Sequence, residues 1–381
     1  MFFRNHRRWR LMAAILSLSL LTVMAGAAVA PALGVISAYF SDEPEILVKL
    51  IISMPALCIA VTNLFFGRLC RYFRVRTLSL AGLAMYVVFG CAAGVCSNIY
   101  VVLACRALLG VGVGIIMPMS TGLITFYFTR DKHEALMGYS SAMNMLGGVV
   151  ATLIAGGMAM ISWRLSFAVY LLGFVSIIPV ILWMPNEKIA DNGKGEKQRG
   201  VIRQYYPYIA GMFMLMLLFF NYPANFALES SRSGVVTAGM IPVIMALMDV
   251  FGFFGGIAFS KFAGLLGGGM KYVAPLMFLV GYICLDKAAG IVLVMAGSFV
   301  VGAAIGIGVP NIISTASAKA GDKAAVTVIP ALSVALYLSQ FAAPAIMAAV
   351  QICIAAVYSS ATTYTAAAAI SVILILWSRI F

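Results

Sequence analysis

Arg106, Asp249 and Glu229 are the ionisable side chains of this sequence whose setting in long apolar runs could support chemistry. Asp249 is the only acid deep inside a run. A carboxyl there can load and release a proton, or it can be a hydrogen-bonded group locked in packing. Arg106 lies inside another run, where a charge costs roughly 2.5–3.5 kcal/mol at a helix centre and faces a cavity or a partner. In that case it would pack little. Its alternative is to reach along its stem to the headgroups. Glu229 and Arg232 close a third run and read as a solvated pair, with Glu229 the second choice as proton carrier.

Covalent and metal chemistry find no support. The seven cysteines lie mostly within apolar runs without metal-ligand spacing, and Cys91 with Cys96 is too loose for a redox pair. His6 and His133 stand in loops away from any carboxylate cluster. Gly267-Gly268-Gly269 has no Lys-Ser/Thr after it, so it is no phosphate loop. No metal, cofactor or enzymatic constellation is expected.

The elements that position these residues follow from composition. Hydrophobic residues make up 63% of 381, charged residues 10%, and mean hydropathy is +1.06. A soluble domain carries about 25% charged residues, so lipid is the natural solvent here. A span takes about 20 apolar residues. Twelve runs fit, at 11–38, 47–67, 77–96, 99–128, 136–160, 164–184, 206–229, 235–259, 272–285, 288–317, 326–350 and 358–379. The expected fold is an all-α polytopic membrane protein of about twelve transmembrane helices. Arg4, Arg7, Arg8 and Arg10 before an apolar run ending in Ala28-Val29-Ala30 mimic a secretory signal, but Pro31 after that site argues against cleavage.

All Lys and Arg except Lys49, Arg106, Arg164, Arg232 and Lys287 fall on one side of these runs. That side is cytoplasmic and holds both termini. Basic residues confined to such loops leave no basic face for nucleic acid. The polar stretch 188–204 separates a six-helix bundle, 1–187, from a second, 205–381. Gly110, Gly114 and Pro118 recur as Gly302, Gly306 and Pro310, and Phe65-Phe66-Gly67 as Phe253-Phe254-Gly255, which reads as a duplication. The glycine ladder is a close-packing surface.

Three stretches resemble the major facilitator superfamily, and the resemblance covers essentially the whole chain. Gly67-Arg68 through Arg71, Arg74 and Arg76 is similar to its loop motif between helices 2 and 3. Arg106-x-x-x-Gly110-x-Gly112-x-Gly114 is similar to its helix 4 motif, which Pro118 follows. Gly148, Gly156-Gly157, Trp163-Arg164 and Phe167 are similar to its helix 5 motif and sequel. The pattern is most similar to the twelve-helix drug–proton antiporter branch and related bacterial exporters. Arg71 stands where that family usually has an aspartate; Thr152 and Leu153 replace the glycine and proline of the antiporter motif.

The resemblance implies two six-helix pseudo-repeats that expose a central site alternately to each side. Arg106 and Asp249 are the expected proton-coupling pair, with Glu229 in reserve. Asn221, Tyr222, Asn225 and Phe226, at a polar-aromatic break around Pro223, and Asn144, Asn311, Tyr337 and Gln340 are the expected substrate pathway, with hydrogen bonding between helices as the alternative. The expected function is proton-coupled export of a small organic or amphipathic compound by a monomer in a bacterial plasma (inner) membrane. Its partners are that compound, protons and the bilayer. The rivals are a proton-linked importer or facilitator of a sugar or carboxylate and, from another class, a membrane-embedded sensor or enzyme.

Overall fold

The computed structural model describes residues 2–128, 130–188 and 201–380, apart from the side chains of 2–8, 27, 125, 130–135, 201–202, 260, 262 and 321–327. The middle of the expected linker, 189–200, lies outside the described residues. So do the side chains of the Arg130/Lys132 loop and of the first three N-terminal arginines.

The chain forms two compact units, Met1–Lys194 and Gly195–Phe381. In the first, α1 (Phe2–Ala27) ends before a 3-10 turn, Ala30–Ala32, and α2 (Leu33–Tyr39) follows. Pro31 places that break, because it has no N–H to continue the ladder. Then come α3 (Glu45–Tyr72), α4 (Val75–Val95), α5 (Ile99–Tyr127) and α6 (Arg130–Ala159). The last span is divided into α7 (Trp163–Ser166), a 3-10 stretch (Phe167–Leu172) and α8 (Gly173–Trp183). Lys49, expected in an outer loop, is instead buried in α3 and paired with Glu45 at 2.8 Å.

The second unit holds α9 (Val201–Gln204), α10 (Tyr206–Ser233), α11 (Met240–Leu266), α12 (Met270–Asp286), α13 (Ile291–Ala355) and α14 (Thr363–Trp377). The expected break in the seventh span is absent, since α10 runs helically through Pro223. Gly267-Gly268-Gly269, expected as an open loop, forms one 3-10 turn between α11 and α12. Gly267 has φ +48°, a region side chains disfavour, so glycine is what permits this tight reversal.

The loop expected between the tenth and eleventh spans is helical as well, within α13. The stretch Ala316-Ser-Ala-Lys-Ala-Gly-Asp-Lys-Ala-Ala325 is rich in strong helix formers and meets no proline until Pro330. The apolar residues of this 65-residue helix still fall into two spans, Ile291–Ala320 and Val328–Ala355. Among the described residues eleven helices are long and apolar enough to cross a membrane. The twelfth run is shorter than expected, 15 residues, because the Thr362 capping box starts α14 late.

The same packing plan recurs in each unit. In the first, α5 lies against α1, α3 and α4; in the second, α13 lies against α10, α11 and α12. Glycines permit these approaches. A Cβ on Gly110 would sit 2.5 Å from the Pro55 carbonyl oxygen, and one on Gly114 would sit 2.7 Å from Thr62 Cβ. In the second unit a Cβ on Gly302 would strike the Met248 carbonyl, and one on Gly306 the Gly252 carbonyl. The glycine repeat therefore joins equivalent positions. The Phe-Phe-Gly repeat does not: a Cβ on Gly67 would meet nothing within 4 Å, whereas one on Gly255 would be 2.6 Å from the Ala303 carbonyl oxygen.

Gly306→Ala must force backbone apart and is expected to cost about 1–3 kcal/mol, as overpacking does. Gly157→Ala, in open space within α6, is expected to be neutral or stabilising by up to about 1 kcal/mol. Thermal unfolding of the two purified variants in detergent checks the contrast.

Candidate functional site

Arg106 neither faces a cavity nor snorkels. Its side chain is fully buried within the first unit, so the expectation that it packs little is corrected. Nε donates to the Ile51 carbonyl at 2.7 Å, one Nη to the Tyr170 hydroxyl at 2.6 Å and the other to the Ala25 carbonyl at 2.5 Å. The Tyr170 hydroxyl donates to Ala25 as well, at 3.0 Å.

These acceptors are available for a local reason. Residue 55, four after Ile51, is proline, which leaves the Ile51 carbonyl without its helical donor. Ala25 lies in the last turn of α1, where carbonyls also lack intrahelical donors and carry the negative end of the dipole. Gly110, one turn after Arg106, packs on Pro55 and lets α5 come close enough for the contact. The arginine–glycine spacing and Pro55 are thus one device. Sequence reasoning missed Pro55 and Tyr170, whose signals lie in other segments.

The second unit departs at this point. Ser298 occupies the place of Arg106 in the glycine-aligned repeat, and it hydrogen-bonds the Tyr222 hydroxyl at 2.8 Å. Tyr222 is fully buried and stacks on Phe226 at 4.6 Å. Asn221 and Asn225 are also buried within this unit, and Asn221 reaches the Thr363 carbonyl.

Asp249 lies on α11, half-buried and within electrostatic reach of Tyr222. It has no hydrogen bond or ion pair among the described residues. Glu229 and Arg232 stand 3.8 Å apart at the end of α10. Asn144 accepts a hydrogen bond from Thr22 at 2.6 Å, joining α6 to α1 beside the Ser19–Ser140 bond at 2.7 Å. Asn311 and Tyr337 are half-buried and Gln340 is buried, all on α13.

In the loop motif, Gly67, Arg71 and Arg74 are exposed and Arg76 is half-buried. Glu187 holds this end of the unit together. Its carbonyl accepts from the Val75 amide at 2.9 Å, and its carboxylate accepts from Tyr127 at 2.5 Å. Burial first, and then that carboxylate, push the Tyr127 phenol up, so it remains a donor. Arg164 closes the opposite end of α4. It donates to the carbonyls of Gly94, Val95 and Cys96, each at 3.1 Å, and its guanidinium stacks on Trp163. Among the described residues no three His, Cys, Asp or Glu side chains converge as a metal site would require.

A family model described as Major Facilitator Superfamily matches residues 15–344. Among curated relatives, the MFS-type transporter dmxR4 of Cryptosporiopsis sp. (strain 8999) is 27% identical over 143 residues, covering 36% of this chain and 25% of its own length. The multidrug efflux pump SdrM of Staphylococcus aureus (strain N315) is 21% identical over 176 residues, covering 45% and 39%. The chain thus spans about a quarter to two fifths of the length of such relatives. Among solved structures, a bacterial homologue of the human lysosomal transporter Spinster, in an inward-facing and occupied conformation, aligns with TM-score 0.73 at 14% identity, covering 98% and 95%. The xylose transporter XylE from E. coli aligns with TM-score 0.73 at 11% identity, covering 98% and 99%.

Arg106→Ala leaves the Ile51 carbonyl without a donor and the Ala25 carbonyl with Tyr170 alone, and is expected to lower stability by about 1–3 kcal/mol, as a buried polar group left unsatisfied does. Arg106→Lys is expected to recover little, because a single ammonium cannot reproduce the guanidinium fork. Tyr170→Phe is expected to cost about 1–2 kcal/mol. Unfolding of the three purified variants tests this, and an alanine variant as stable as wild type would overturn the anchoring role.

Proposed function

The chain belongs to the Major Facilitator Superfamily, and from that premise we propose a secondary transporter that exports a small organic or amphipathic compound in exchange for protons. On this reading it works by alternating access in a bacterial plasma membrane, as a monomer with both termini in the cytoplasm. The relatives named as efflux pumps support the outward direction. The distribution of basic residues supports the orientation.

Asp249 is the observation that carries the proton coupling. It is a carboxylate in the middle of an apolar helix, partly accessible, with no ion pair or hydrogen bond among the described residues. A group so placed can change charge without dismantling a helix contact. One proton falling through 100 mV releases about 2.3 kcal/mol, enough at about 1.36 kcal/mol per decade for a roughly 50-fold gradient of a neutral compound. Arg106 serves this scheme by holding α1, α3 and α5 as one body.

Asp249→Asn is expected to abolish accumulation driven by a pH gradient while preserving substrate binding and exchange. The amide keeps the shape but cannot titrate. Liposomes carrying each protein, supplied with a compound selected by thermal-shift screening, distinguish the two activities at two external pH values. An asparagine variant that still accumulates the compound with an unchanged pH profile removes Asp249 as the coupling group. Net movement toward the cytoplasmic side would reverse the direction and leave the coupling intact.

Reporter fusions after Arg203 and at the C-terminus are expected to be active only with a reporter that folds in the cytoplasm. A periplasmic signal at either point would invert the orientation.

A further inference from the structure

Inside the C-terminal unit, α10 and α14 meet at Asn221 and Thr363, with Asn225 one turn along α10 from Asn221; the three are 0%, 3% and 1% exposed in that order. Asn221 Nδ2 donates to the Thr363 carbonyl at 3.3 Å. Asn225 Nδ2 donates to the Asn221 carbonyl and Oδ1, at 3.0 and 2.8 Å. Those bonds fix the direction of the Asn225 amide, because turning it would set oxygen against two oxygens. Its Oδ1 then faces no donor, and it has no hydrogen-bond partner among the described residues. Thr363 Oγ1, on the residue whose carbonyl Asn221 reaches, has none either. Buried oxygens left this way are costly, and an acceptor-only oxygen calls for a donor or a cation.

The charges nearby favour a cation. Glu229 stands one helical turn beyond Asn225 on the same face of α10. Thr362, next to Thr363, donates to Asp286 Oδ1 at 2.6 Å. Both carboxylates reach the Tyr364 hydroxyl electrostatically. Each has a basic neighbour, Arg232 at 3.8 Å and Lys287 at 2.9 Å. The side chains of those cations are 56% and 63% exposed, against 22% and 8% for Glu229 and Asp286. Water screens the cations more than the acids, so the interior feels a negative field.

We propose that Asn225 Oδ1, Thr363 Oγ1 and Asn221 Oδ1 form a binding site for a monovalent cation of sodium's size. Oxygen dipoles can replace the hydration shell of an alkali ion. Neutral oxygens bring no formal charge to offset the dehydration of a divalent one. The bound ion pins α10 to α14. It is separate from the proton chemistry of Asp249 and is read by stability, so its failure leaves the transport reading untouched.

Unfolding of the purified full-length protein is measured in sodium chloride and in choline chloride of equal ionic strength. Sodium is expected to raise the unfolding temperature by about 3 °C through mass action on the folded state. Thr363→Val removes an oxygen that makes no hydrogen bond, so it is expected to match wild type in choline and to lose the sodium response. Asn225→Asp is expected to be less stable in choline and to gain a larger sodium response. Equal unfolding temperatures in the two salts would mean that a water molecule occupies the site, and the proposal falls. It falls equally if Thr363→Val keeps the full response, which would place the ion elsewhere.

Discussion

A carbonyl released from its helical ladder inside a membrane has no water to turn to, and the first unit is arranged around that constraint. Pro55 releases the Ile51 carbonyl in α3, and the end of α1 releases that of Ala25. A buried polar group without a partner costs about 1–3 kcal/mol. Arg106 answers both groups from a third helix, with Tyr170 completing the set from a fourth segment. The guanidinium is equally dependent on them. Among the described residues no acid pairs with it, so oriented backbone dipoles and a phenol are what make its burial tolerable. Close approach of α3 and α5 is a precondition, and Gly110 against Pro55 supplies it.

The second unit keeps the glycine contacts and does without the arginine, for a reason that follows from the first. Met248 stands against Gly302 where Pro55 stands against Gly110. A methionine has its N–H, so α11 releases no carbonyl at this level. The partner of α13 also differs, because α10 continues unbroken to Ser233 where α1 stops at Ala27. With neither orphan present, Ser298 and Tyr222 fill the space and satisfy each other. The two units share a backbone plan, and the polar residues differ wherever a helix break differs.

This explains which features the sequence made legible. Spans are read from apolar length, and glycines at four-residue spacing announce a close contact, because both signals lie within one segment. The surroundings of Arg106 are set by a proline in one segment, a helix end in another and a tyrosine in a third, and no local pattern links them. The Phe-Phe-Gly pair misled because aromatic residues are common in spans, and only the partner of each glycine reveals equivalence. Pro223 suggested a break that α10 does not make; neighbouring helices let a membrane helix absorb a proline. The helical stretch across 317–327 was hidden because charged residues between apolar runs resemble a loop, although alanine and lysine favour helix.

The two units hold the charged groups within their helices in opposite ways, and that difference bears on where coupling can reside. Arg106 is bound to oxygens fixed in the backbone, and a guanidinium does not give up its proton in a protein. Moving it would uncover the Ile51 carbonyl and leave that of Ala25 with Tyr170 alone. A charge so committed suits a part of the molecule that must stay rigid through a cycle. Asp249 has the reverse properties: a carboxyl is able to take up and release a proton, it is partly accessible, and among the described residues no hydrogen bond ties it to another helix. On the proposed reading, charge therefore changes in the second unit, while the first contributes a helix bundle held together by Arg106. The same logic sets the cluster around Asn225 apart from Asp249. Its amides are locked by one another and cannot titrate, so an ion held there would stabilise the bundle without competing for the proton.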